Sequence, residues 1–133
     1  MTVPSFEQTL VSAGVKLLKV YLDVGRAEQA RRLHHRSHDP LHASRQSPVI
    51  ASAAEYGVQY SEARNAMLLS THSASCPWLI VRADNPRLAR LNPARAILSR
   101  LSYPGKHLDV VTPDPDIAFE FSSDCIPSER MAL

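Results

Sequence analysis

Two apolar segments of strand length, each reaching an aspartate, constrain the fold of this chain more than any other feature. The first is Leu17–Val24, which contains Asp23, and the second is Trp78–Asp84. Each leads into a helical pattern, and a near-continuous apolar run followed by a helix is typical of a buried strand in a parallel sheet. Because ligands bind beyond the carboxyl ends of such strands, we expect Asp23 and Asp84 to lie at one ligand-facing edge.

Composition limits the class of protein and its partners. A chain of 133 residues is one domain or part of one. With 15 Lys and Arg against 13 Asp and Glu, the net charge of +2 is too small to indicate nucleic acid or a membrane surface. The two cysteines, Cys76 and Cys125, lack a metal-binding spacing, and the N-terminus does not resemble a signal peptide. We therefore expect a reduced, cytoplasmic protein that binds neither nucleic acid nor membrane.

The remaining segments carry weaker patterns. Ile50–Ser70 has apolar residues at roughly helical intervals, with Gly57 as a weak point in the helix. The pattern after Pro86 is also helical, but Pro93 should interrupt it because proline lacks the N–H of a helical hydrogen bond. From Tyr103 onward, four prolines and no periodicity predict a tail that lies over the surface or is partly disordered.

A longer series of residues, spread from about Ser5 to Pro115, has the order and spacing of one known family. The series includes Leu22-Asp23-Val24, Glu28-Gln29, Asp39-Pro40, Ala63-Arg64, Pro77-Trp78, Val81-Arg82-Ala83-Asp84-Asn85 and Ala89-Arg90. In this order it resembles the C-terminal half of the polyphosphate kinase 2 family.

The resemblance implies a fold and an activity. The fold is α/β, a part of the three-layer P-loop-kinase-like fold, with two parallel strands, flanking helices and a helical lid segment at about 39–71. The family-like domain would span 1–102, followed by a proline-rich tail at 103–133. The activity is phosphoryl transfer between inorganic polyphosphate and a nucleoside di- or monophosphate, with Mg²⁺.

The phosphate loop of that fold is not found in the sequence. Such a loop needs a glycine-rich turn and a lysine in the spacing G-x-x-x-x-G-K-[ST]. Only Gly105 precedes a lysine, and Arg100 stands where the first glycine is required. The family's aspartate-arginine-serine run at a strand end is absent too. We therefore expect a truncated family member that carries no catalytic residue and no magnesium ligand, and that is inactive alone.

Arginines are the candidates for polyphosphate binding. A polyanion needs several fixed positive charges with planar, multidentate donors, which arginine supplies. Taken one by one, arginines on a helix are usually just solvated surface, and it is the family resemblance that favours binding, most of all for Arg32 and Arg36. The candidates are Arg31, Arg32, Arg36, Arg45 and Arg64.

Two residues after the second strand are the candidates for nucleotide binding. By the resemblance, Asp84 and Asn85 lie near the nucleotide base, although Asn85 would also suit the N-cap of the next helix. His34 and His38 have the spacing of two metal ligands on one helix face. Nothing nearby suggests a third ligand, so we expect no metal site there.

Three functional hypotheses stay open. The first is the family's phosphotransferase role, with a complementary N-terminal half or self-association completing the enzyme. The second is a non-catalytic module that binds polyphosphate or another polyanion, with an affinity that falls steeply as salt is added. The third is a gene remnant with no independent role, because two parallel strands leave a sheet edge open.

Overall fold

A computed structural model describes residues 2–41, 52, 55–128 and 130–132 of the chain. None of the helices in these ranges is long and apolar enough to cross a membrane. In chain order, the elements are α1 (Val3–Ser12), β1 (Lys19–Asp23), α2 (Arg26–His38), α3 (Gly57–Thr71), β2 (Trp78–Arg82), α4 (Pro86–Arg100), α5 (Leu108–Val111), β3 (Ala118–Glu120) and a 3₁₀ turn at Ser123–Cys125.

The sheet has three strands in the order β1-β2-β3. Strands β1 and β2 are parallel, with Lys19 opposite Trp78 and Asp23 opposite Arg82. The α/β class and the parallel pair confirm the sequence interpretation, and both strands end at one edge as expected. The prediction of only two strands is wrong, because β3 pairs antiparallel with β2. Within the described ranges, no strand pairs with the other edge of β1.

The third strand comes from the proline-rich segment after Tyr103. Its Phe119 and the following Phe121 are buried in a cluster with Leu68 of α3 and Ile80 of β2, which Cys125 and Met131 complete. The expectation of a surface or partly disordered tail is therefore wrong for this stretch. Burial of Phe119 and Phe121 against the central strand stabilises this segment. The absence of a local sequence periodicity gave no sign of that burial.

Helix α4 continues through Pro93, so the predicted interruption is wrong. Asn92, which is fully buried, donates from Nδ2 to the Leu88 carbonyl at 3.1 Å. Its Oδ1 accepts from the backbone N–H of Asp114 at 2.8 Å. These bonds and the burial of Ala96 hold the helix against β2 and the chain that precedes β3, which offsets the hydrogen bond that proline cannot make.

The amino end of β1 is closed by a buried ion pair. Lys19 Nζ lies 2.7 Å from Glu7 Oε2 of α1 and donates to the Thr71 carbonyl at 2.6 Å. The same ammonium lies 5.1 Å from the centre of the Trp78 ring. Trp78 Nε1 donates to Thr71 Oγ1 at 2.9 Å. The cluster fixes the last residue of α3 to the start of the strand.

Both cysteines are free thiols in the interior. Cys76 and Cys125 are 0% and 2% exposed. Burial raises the pKa of the Cys76 thiol above its ordinary value, because a thiolate is poorly solvated there.

Candidate functional site

A cleft of about 490 Å³ opens at the carboxyl end of β1. One wall is the end of β1 from Tyr21 to Val24, the second is α2, and the third is the first half of α3 from Gly57 to Arg64. Among the described residues, its lining contains one acidic side chain, Asp23, and four arginines, which are Arg26, Arg32, Arg36 and Arg64. The arrangement is that of a site for an anion with several charges.

Helix α2 begins beside the end of β2. The N-cap Gly25 donates its backbone N–H to Asp84 Oδ1 at 2.7 Å. A Cβ atom at Gly25 would lie only 3.3 Å from Asp84 Oδ2, so the absence of a side chain permits this close approach. A carboxylate at the start of a helix also interacts favourably with the helix dipole. Asp84 therefore fixes the origin of α2 relative to the sheet.

Arg32 is held in the cleft wall by three acceptors. Its Nε donates to Glu28 Oε1 at 2.7 Å, and its Nη2 donates to the Ala83 and Asp84 carbonyls at 2.6 Å and 3.3 Å. The adjacent Arg31 also bonds Glu28, with both distances 2.7 Å, but it does not line the cleft. Hydrogen bonds from Arg31 and then Arg32 lower the pKa of Glu28 to about 2.

The inner end of the cleft contains a buried ion pair. Arg64 Nη1 donates to Asp23 Oδ1 at 3.2 Å and to the Ala132 carbonyl at 2.6 Å. Asp23 Oδ2 in turn accepts from the Ala132 N–H at 2.6 Å. Burial raises the pKa of Asp23, although the Ala132 N–H and Arg64 act in the opposite direction. Burial likewise raises the pKa of Tyr21, whose ring lies beside this pair.

The structure brings three of the five predicted polyphosphate residues together. Arg32, Arg36 and Arg64 line the cleft, and Arg36 forms no ion pair with any described residue. Arg31 lies outside it, and Arg45 falls outside the described residues. The sequence analysis missed Arg26, the first residue of α2, although its place just after a strand end was a usable signal.

The two nucleotide candidates lie at the sheet edge but do not line the cleft. Asp84 accepts from Gly25, as described above. Asn85 Oδ1 accepts from the Arg87 and Leu88 N–H groups at 3.0 Å and 3.4 Å, so it is the N-cap of α4. The prediction of nucleotide contacts stays a prediction.

The described residues do not fit a resident metal ion. Nowhere in the described ranges do three or more His, Cys, Asp or Glu side chains come together as a ligand set. Asp23, which lines the cleft, and Asp84, which follows β2, already accept hydrogen bonds from Arg64, Ala132 and Gly25. The rings of His34 and His38 stack with centroids 4.3 Å apart. The described part of the chain thus contains no assembled ligand set for Mg²⁺.

Comparison with known proteins gives a consistent family assignment. Residues 1–109 match the model of the family described as Polyphosphate kinase 2. The chain is 39% identical over 113 residues to NDP-polyphosphate phosphotransferase 2 of Ruegeria pomeroyi, covering 84% of this chain and 33% of the relative. It is 36% identical over 103 residues to ADP-polyphosphate phosphotransferase 1 of Rhizobium meliloti, covering 77% and 34%.

A third relative, GDP-polyphosphate phosphotransferase of Pseudomonas aeruginosa, is 35% identical over 113 residues, covering 84% of this chain and 32% of its own. The chain thus spans about a third of the length of these curated relatives. The family match includes β1, α2, α3 and β2, and with them every residue that lines the cleft. The chain belongs to the polyphosphate kinase 2 family.

Proposed function

We propose that this chain provides the polyphosphate-binding face of a polyphosphate-dependent nucleotide kinase in the cytoplasm. The observation that carries the proposal is the arginine cleft at the carboxyl end of β1. Inorganic polyphosphate is a linear polyanion, and several guanidinium groups along one cleft match its repeated charges. The relatives are named for phosphoryl transfer between polyphosphate and ADP, GDP or nucleoside diphosphates in general.

The binding groups are partly preorganised. Arg32 is fixed by Glu28 and by the Ala83 carbonyl before any ligand arrives. A charge that is already held in place loses little side-chain entropy on binding. Arg36, one helical turn farther along the same face, has no partner among the described residues and can turn its full charge to a phosphate.

We propose that this chain alone performs negligible phosphoryl transfer. Stabilising the transferred phosphoryl group requires a phosphate loop with its lysine, and the sequence contains no such loop. The three-stranded sheet would be part of a P-loop kinase fold. A polypeptide carrying the loop, and with it the magnesium ligands, would add a strand to the edge of β1 that pairs with no strand in the described ranges.

The second candidate function is a polyanion-binding module without chemistry. It is favoured by the four arginines that line the cleft among the described residues, since binding a polyanion needs these charges and no phosphate loop. The two functions predict the same binding and differ only in catalysis once a loop-bearing partner is supplied.

The test is polyphosphate binding by the purified chain, measured by isothermal titration calorimetry at several salt concentrations. Arg36→Gln should weaken binding by roughly three- to tenfold and make its logarithmic salt dependence shallower by about one unit, since one phosphate contact is lost. The matched control is Arg31→Gln on the same helix but outside the cleft, which should bind within about twofold of wild type. Absent binding, or equal losses in the two variants, contradicts the proposal.

A further inference from the structure

We propose that residues 130–132 act as a latch that holds α3 over the arginine cleft, and that Asp23 is the positioning residue on which the latch closes. The latch itself is a property of the fold. Its effect on ligand rests on the proposed function, polyphosphate binding in the cleft.

Arg64 connects α3 to the latch by a hydrogen bond to the Ala132 carbonyl. A guanidinium has five N–H donors. Nη1 donates to Asp23 and to the Ala132 carbonyl, while Nε and Nη2 both donate to Asn65 Oδ1 at 3.0 Å and 2.9 Å. Four donors are therefore engaged, and the side chain is 10% exposed. Arg64 also interacts with the Tyr21 hydroxyl. Although Arg64 borders the cleft, its donors are therefore engaged by the protein, and its role is to hold α3 in place.

Asp23, at the end of β1, binds both Arg64 and residue 132 of the latch. One of its oxygens accepts from Arg64 and the other from the Ala132 N–H, and the residue is 5% exposed. Removing either oxygen would leave a buried donor without an acceptor, which is costly in the interior. The next residue back, Met131, is 4% exposed and belongs to the same apolar cluster as Leu68 of α3. The latch thus bonds α3 at Arg64 and shares an apolar cluster with Leu68 of the same helix.

The position of α3 decides the shape of the cleft. Gly57, Tyr60 and Ser61, in its first two turns, form the wall opposite α2. Gly57 lies close to the Arg26 guanidinium, since a Cβ added there would be 3.7 Å from Arg26 Cζ. The far end of α3 is fixed separately, through the Thr71 carbonyl and Lys19. Without the latch, α3 would keep that anchor, and near the cleft only the Asp23–Arg64 pair would remain, without its bonds to Ala132.

The experiment measures amide hydrogen exchange in the full chain without polyphosphate. Ala132→Pro removes the N–H that Asp23 accepts, and Asp23→Asn replaces one acceptor oxygen with a donor. Both should speed exchange about tenfold or more in the first half of α3 while residues 79–82 of β2 stay protected. Ala132→Ser, which keeps the backbone N–H and carbonyl, is the matched control and should exchange like wild type.

The second readout is polyphosphate binding by the same variants. Ala132→Pro should raise the dissociation constant for polyphosphate by roughly five- to tenfold, because the wall of the cleft is less often in place. Asp23→Asn should lose less affinity, because it also removes a negative charge from the cleft lining. If α3 exchanges like wild type in both variants, or if β2 loses protection equally, there is no latch. Faster exchange in α3 with unchanged binding would overturn the link to the ligand. If α3 exchanges faster but Arg36→Gln does not change polyphosphate affinity, the latch is supported and the proposed function is contradicted.

Discussion

Each end of β1 is joined to α3 by a residue of a buried ion pair, but the strand contributes the opposite charge at each end. At its start, the strand supplies the cation, Lys19, which pairs with Glu7 at 2.7 Å. At its end, the strand supplies the anion, Asp23, which pairs with Arg64 at 3.2 Å. Both pairs are buried, and both tie α3 to the strand, one at Thr71 and the other through Arg64.

The difference lies in what surrounds each pair. The Lys19 pair is covered by the Trp78 ring and lies away from the cleft. The Asp23 pair lies in the lining of the cleft and is closed by three residues near the C-terminus. A buried ion pair contributes little net stability, although breaking it is costly. The first pair therefore serves the fold alone, while the second connects the fold to the site.

The largest expected effect is at the Lys19 end. Lys19→Met leaves the buried Glu7 side chain without its partner, so it should lower the free energy of unfolding by about 3–5 kcal/mol. Urea unfolding followed by Trp78 fluorescence measures this loss. The double variant Lys19→Met/Glu7→Leu removes both charges and should recover most of it. A single variant no less stable than the double would show that the pair is not desolvated as described.

The Asp23 end should respond to pH. Because burial raises the pKa of Asp23 above 3.8, the folded state binds its proton more readily than the unfolded state. The contribution of this carboxyl to stability is therefore complete below that value and is lost as the pH rises through the folded pKa. The stability of wild type relative to Asp23→Asn should therefore be greatest at acidic pH and fall as the pH rises above the ordinary pKa of 3.8.

Urea unfolding at each pH provides the measurement. Asp116→Asn, which removes an exposed carboxylate near β3, serves as the control and should change stability by no more than about 0.5 kcal/mol. A rising relative stability of wild type would mean that Arg64 and the Ala132 N–H outweigh burial at Asp23.

The smallest effect concerns the polar contact that completes the Lys19 end. Thr71→Val removes the oxygen that accepts from Trp78 Nε1 at 2.9 Å. We expect a loss of about 1–2 kcal/mol and a shifted emission maximum of the single tryptophan. Ser70→Ala, on the exposed side of the same helix, should leave both unchanged. Equal effects of the two substitutions would show that the Trp78 bond is not responsible.

The elements that depend on neighbouring residues were predicted correctly from the sequence. The two strand-helix units and the N-cap at Asn85 follow from apolar run length, turn residues and capping chemistry. Strand β3 has only three residues, and it exists because Phe119 and Phe121 find a core that distant segments build. Its presence could not be inferred from Pro113 to Glu120 alone.

The sequence predicted an arginine-rich binding site but not which arginines line it. Arginines in α2 were identified as binding residues, but neighbours on a helix point about 100° apart, and which side faces β1 depends on packing. Arg32 therefore faces the cleft while Arg31 does not. The Asp23–Arg64 pair joins residues 41 positions apart, and the Ala132 contact joins positions 109 apart. No periodicity in a single sequence encodes such distances.

The buried thiols have a practical consequence for spectroscopy. Cys76 and Cys125 are nearly inaccessible, and maleimide reagents require an exposed thiolate. Cysteines introduced at the exposed Ala30 of α2 and Gln59 of α3 should therefore accept dyes selectively, with both native cysteines retained. Energy transfer between the two dyes would then follow opening and closing of the cleft in solution, one molecule at a time.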